Sequence, residues 1–111
     1  MANKGETKVV NKIRAYLTQT YPGCFHYKVN GNGFQKKGLP DIIGCIGGRF
    51  IGLEVKDPAN RSYGATELQL YRLEEIRQAG GIAAIVTSVE EVKELLDNEI
   101  VQAPGRGFGG A

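Results

Sequence analysis

The chain has 111 residues, 41% hydrophobic and 23% charged, which fits one soluble globular domain with a modest core. No apolar run approaches the roughly 20 residues of a membrane helix, and the N-terminus does not read as a signal peptide, so a cytoplasmic protein is expected. The net charge of +2 permits contact with nucleic acid without arguing for it.

Residues 4–20 read as a helix, with Val9, Val10, Ile13, Tyr16 and Leu17 on one apolar face. Lys4, Lys8 and Lys12 form a basic stripe beside it, and Pro22-Gly23 ends the element. Glu6 falls on the apolar side of the first turn. It reads either as the partner of an Asn3 cap or as a carboxylate aimed at a site. Cys24–Val29 reads as a strand, rich in aromatic and β-branched residues. The only histidine, His26, sits on it and is more often structural than catalytic in such a place. Cys24 and Cys45 lack paired ligand spacing, and we expect both to be reduced, buried small hydrophobes rather than zinc ligands. Tyr16, Tyr21, Phe25, Tyr27 and Phe50 are expected mostly in the core. Asn30–Gly38 is a polar, basic, glycine-rich loop. Its glycine spacing is wrong for a dinucleotide fingerprint and no helix follows.

Asp41–Ile46 and Arg49–Lys56 are apolar runs on either side of Gly47-Gly48, the signal of a tight β-hairpin. A two-residue turn pairs Ile46 with Arg49 and sets Asp41 directly opposite Glu54. Alternation then puts Asp41, Glu54 and Lys56 on one face at one end of the hairpin. Opposed Cβ atoms lie about 5 Å apart, and two carboxylates there repel by roughly 3 kcal/mol at an effective dielectric near 20. A divalent cation is the natural compensation, because hard cations take oxygen ligands at this spacing. A bulge in the hairpin would remove the pairing.

Asp57–Gly64 is a second loop. Thr66–Ala79 reads as a helix with Thr66 as N-cap, Gln69 completing a capping box, and Leu68, Tyr71, Ile76 and Ala79 as the buried face. Ile82–Thr87 is a wholly apolar strand, expected to be buried on both faces. Ser88 and Glu91 form another capping box, opening a helix over Val89–Leu96. We take residues 1–101 as one domain and 102–111 as a flexible glycine-rich tail. The order α-β-β-β-α-β-α predicts an α/β fold: a mixed sheet flanked by helices, with an antiparallel meander feeding a right-handed crossover.

Pro40-Asp41 followed by Glu54-Val55-Lys56, on a hairpin after one helix and one strand, resembles the signature of the PD-(D/E)XK nuclease superfamily. Lys37-Gly-Leu-Pro-Asp41, Glu54-Val-Lys56, Gln69 and a glutamate in the N-terminal helix resemble the VRR-NUC family within it, over roughly residues 5–96. The resemblance implies a restriction-endonuclease-like αβββαβ core and a magnesium-dependent DNA endonuclease, with manganese as a substitute. It implies a catalytic set of Asp41, Glu54, Lys56 and Gln69, and metal ligation by Asp41, Glu54, the Val55 carbonyl and Glu6. Products would carry 5′-phosphate and 3′-hydroxyl ends. It also implies a stand-alone homodimer cutting branched or four-way-junction DNA in a bacterial or phage-infected cell, with replication or repair proteins as candidate partners.

Lys8, Lys12, Lys36, Lys37 and Arg61 are the candidate phosphate contacts. Arg14, Tyr63, Arg106 and Phe108 are weaker ones. The rival reading is a non-catalytic nucleic-acid-binding or assembly module that retains the nuclease fold. An unrelated ion-paired α/β domain is a third.

Overall fold

The computed structural model describes residues 4–30, 36–59 and 64–100. Three helices, α1 (Lys4–Thr20), α2 (Glu67–Gln78) and α3 (Val89–Ile100), and four strands, β1 (Phe25–Lys28), β2 (Ile42–Ile46), β3 (Arg49–Val55) and β4 (Ile82–Val86), follow the order α-β-β-β-α-β-α. The fold is α/β. One open sheet has strand order β1-β2-β3-β4, antiparallel except for the parallel β3–β4 pair. This architecture is compatible with a restriction-endonuclease-like core. Among the described residues no helix is long and apolar enough to cross a membrane.

The β2–β3 hairpin sets the register. Ile46 pairs with Arg49 and Ile42 with Leu53 across a turn in which Gly47 and Gly48 have φ of 55° and 86°. Positive φ at both central residues suits the right-handed twist of the strands, and only glycine takes it without strain. Alternation then divides the sheet into two faces. One carries Ile42, Ile46, Ile51, Leu53, Val55, Ile82 and Val86. It is buried against Val10, Ile13 and Leu17 of α1 and Val92 and Leu96 of α3, making the main core. The other face carries Ile43 and Cys45 from β2 and Phe50, Gly52 and Glu54 from β3, and Asp41, just before β2, continues the same alternation.

Helix α2 covers only part of that second face. A Cβ on Gly52 would meet the Ile76 side chain and Pro40, so α2 lies close over β3. Leu73 is its one buried residue, in place of the expected face of Leu68, Tyr71, Ile76 and Ala79; Ile76 is half-buried, and Leu68, Tyr71 and Ala79 are exposed.

 The expected face failed because the helix is seated by the small strand residues beneath it. Gly52 and Gly81 both receive Ile76, which turns the line Gln69–Leu73–Ile76 toward the sheet.

The same partial cover corrects three further expectations. Phe25 (61% exposed), Tyr27 (46%) and Phe50 (43%) lie on the uncovered part of the sheet rather than in the core. Cys45, on that face too, is exposed, while Cys24 is half-buried just before β1; both are free thiols. Strand β4 is a sheet edge, so Ile85 is exposed rather than buried. Tyr21 is buried, and Tyr16 meets it edge to face with ring centroids 6.5 Å apart.

The helix caps follow the sequence closely. The Thr66 hydroxyl accepts from the Gln69 N–H (3.1 Å), and Gln69 Oε1 accepts from the Thr66 N–H (2.9 Å). Ser88 Oγ accepts from the Glu91 N–H (3.1 Å), but Glu91 reaches one residue further back, accepting from the Thr87 N–H and hydroxyl. Helix α3 runs to Ile100, one turn beyond the expected Leu96, because Leu96 and the half-buried Ile100 continue its core-facing line.

Candidate active site

The hairpin register, continued one step past Ile42–Leu53, puts Asp41 opposite Glu54. Asp41 stays in the strand's path: its carbonyl accepts from the Val29 N–H (2.8 Å), tying it to the end of β1. Its carboxylate turns to β3, where Oδ2 accepts from the Val55 N–H (2.8 Å). That bond fixes the direction of the carboxylate.

Pro40 is buried over the sheet face that carries Gly52, where a Cβ on Gly52 would lie 3.1 Å from its ring.

Glu54 is only 3% exposed. Its Oε2 lies 3.2 Å from Lys56 Nζ, and its Oε1 is buried with no hydrogen-bond partner among the described residues. Burial pushes the Glu54 carboxyl up to about 7, with Asp41 adding to the rise, Lys56 opposing it and Glu6 contributing a smaller increase. An orphaned, buried carboxylate oxygen beside a second carboxylate has an evident use as a cation ligand.

Glu6 lies half-buried in the first turn of α1, near enough for its charge to act on Glu54. Among the described residues, however, no group of three or more His, Cys, Asp and Glu side chains is placed to hold a metal ion. The compact centre is thus two carboxylates and an ammonium. Helix α2 runs back over β3, so with Ile76 above Gly52 its first turn, carrying Gln69, lies toward Glu54. The Gln69 side-chain oxygen is engaged in the capping box.

Beside Lys56 a cleft of ≈ 390 Å³ opens between Gly64, the end of β4 and the Glu91 turn of α3. Lys8 and Lys12 are exposed on α1, and Lys36 and Lys37 are exposed in the loop before β2. Arg61, Tyr63, Arg106, Phe108, Asn3 and the tail lie outside the described residues.

His26 is held structurally. Its Nδ1 accepts from Arg14 Nε (3.1 Å), which leaves the proton on Nε2 to bond Thr18 Oγ1 (2.8 Å). Burial and then the Arg14 charge lower its pKa.

Asp57 is a residue that the sequence reading passed over. Its carboxylate packs where a Cβ on Gly5 would stand, against the first turn of α1, and Oδ1 accepts from the Ala59 N–H (3.0 Å). A carboxylate at a helix N-terminus is favourable, and here it joins the end of β3 to the helix that carries Glu6. The available signal was a glycine inside the first turn of a helix, which calls for a close neighbour.

No protein-family model matches the chain, and no curated protein matches it.

Proposed function

We infer that the chain is a divalent-cation-dependent DNA endonuclease. The observation that carries this reading is the Asp41–Glu54 pair, opposed in register, with Glu54 Oε1 buried and lacking a hydrogen-bond partner among the described residues. These donors fit magnesium or manganese, hard cations that keep several waters and need few carboxylates. Asp41, Glu54 and the Val55 carbonyl would hold the ion, with Glu6 near enough to act through the waters around it. When bound, it supplies charge neutralisation at the phosphate and lowers the pKa of the attacking water.

The remaining roles belong to the chain itself. Lys56, anchored at Glu54, orients the attacking water and offsets negative charge that builds on the phosphate. Gln69 sits at the mouth of α2, whose N-terminus favours an anion. Lys36 and Lys37, with Lys8 and Lys12 further out, would engage phosphates along the strand. A single small domain offers little surface for reading sequence, so selection by DNA structure is the consistent expectation. A homodimer acting on branched or four-way-junction DNA follows from the resemblance to stand-alone VRR-NUC proteins and from the two-fold symmetry of such substrates.

One observation favours a second reading. The Lys56–Glu54 ion pair already compensates Glu54 in part without a cation, as a non-catalytic nucleic-acid-binding module with the nuclease fold would require. Incubation with supercoiled plasmid and a synthetic four-way junction, in magnesium, manganese or chelator, separates the two. The nuclease reading expects metal-dependent cleavage that drops about a hundredfold or more in Asp41→Ala, Glu54→Ala and Lys56→Ala. Binding without cleavage in either metal would leave the second reading.

A further inference from the structure

The uncovered part of the sheet is ordered with respect to the candidate site. On one face, pairing across the strands makes three rows: Phe25–Cys45–Phe50, then Tyr27–Ile43–Gly52, then Val29–Asp41–Glu54. Successive rows are about 6.7 Å apart along the strands. Tyr27 is therefore one strand and one row from Asp41, about 8 Å between Cα atoms. Phe25 stands one row beyond. Both rings are exposed, on a surface of β1 and β2 that α2 leaves bare.

We propose that Tyr27 and Phe25 form a stacking platform for unpaired bases, which receives the single-stranded flank of a nucleic acid whose phosphate lies at Asp41 and Glu54. An open antiparallel sheet with exposed aromatics on alternate positions is a surface on which bases stack one per ring. The charges agree with that occupant. Outside Asp41 and Glu54 the three rows hold no ionisable carboxylate or cation, so phosphates meet no repulsion over the rings. Lys36 and Lys37 are exposed in the loop joining β1 to β2, and Arg72 Nε braces that loop through the Lys37 carbonyl (3.0 Å). The cations thus stand where the loop meets α2, off the three rows that carry the rings, where a strand's phosphates rather than its bases would run. Where the phosphate sits rests on the nuclease reading; the stacking does not.

The test is fluorescence anisotropy in chelator with a labelled oligothymidylate of about 15 nucleotides and an abasic strand of the same length and charge. The platform predicts that the wild type binds the thymidylate at least about tenfold more tightly than the abasic strand. Phe25→Ala and Tyr27→Ala should each remove most of that difference and leave abasic binding unchanged. Phe25→Trp and Tyr27→Trp should retain it, with melting temperatures of all four near that of the wild type.

Equal affinity for the two strands, or variants that weaken both alike, would overturn the platform. So would sedimentation showing that the alanine variants turn a wild-type dimer into a monomer, since the face would then belong to a second copy. Because the assay runs in chelator, its failure leaves the nuclease reading standing. Stacking without cleavage in metal would remove the nuclease reading alone.

Discussion

Glu54 concentrates the energetics of the site in one side chain. In the unfolded chain its carboxyl titrates near its ordinary value of 4.5; in the fold, burial first and then Asp41 push it up to about 7. Between those values the native state binds more protons than the unfolded state, so stability falls as pH rises through that window and levels off above it. The shift corresponds to on the order of 3 kcal/mol lost between pH 4.5 and 7 in the absence of metal. Replacing Glu54 by Gln keeps the shape and removes the titration. In chelator, the melting temperature of Glu54→Gln should fall less than that of the wild type between pH 5 and pH 8. Parallel curves would mean that Glu54 is not the buried acid that sets this slope.

At the scale of elements, the hairpin and α2 show what the sequence did and did not make legible. The register of β2 on β3 was readable because Gly47-Gly48 admits one tight turn and because alternation is rigid once the turn is set. Asp41 opposite Glu54 follows from that alone. The face of α2 was not readable. Leu68, Leu70, Tyr71, Leu73 and Ile76 put apolar side chains nearly all round the helix, and the choice among them is made by Gly52 and Gly81 on the sheet below. The exposed Phe25, Tyr27 and Phe50 are a consequence: strand propensity marks an aromatic position but not whether a helix will cover it. Two glycines make the packing testable. A Cβ at Gly44 would press on the Phe25 carbonyl and His26 backbone, whereas one at Gly52 would meet the movable end of Ile76 and Pro40. Both Gly→Ala changes should destabilise, by about 1–3 kcal/mol. Gly44→Ala should cost the more, because a strand backbone yields less than a side-chain methyl. Urea unfolding of the two variants checks the order.

For the whole molecule, the net charge of +2 conceals an uneven distribution. Acidic groups gather at Asp41, Glu54, Glu6 and Asp57, while Lys36, Lys37, Lys8 and Lys12 are exposed on the loop and helix. If Lys36 and Lys37 neutralise phosphates, changing both to Ala should weaken DNA binding similarly for all sequences. It should also lower the slope of log affinity against log salt by about 2. An unchanged slope would take these lysines out of the interface.

The order of elements, the hairpin register and the caps were legible in the sequence because each has a local cause. The orphaned Glu54 oxygen and the Asp57 seat on α1 were not, because each depends on elements meeting in space. The account's central claim is that Asp41 and Glu54 share a divalent cation. Thermal unfolding at neutral pH, with and without magnesium or manganese, tests it most directly. A shared site predicts that either metal raises the melting temperature of the wild type and leaves Asp41→Asn and Glu54→Gln unmoved. Equal shifts in all three proteins, or none in the wild type, would contradict it.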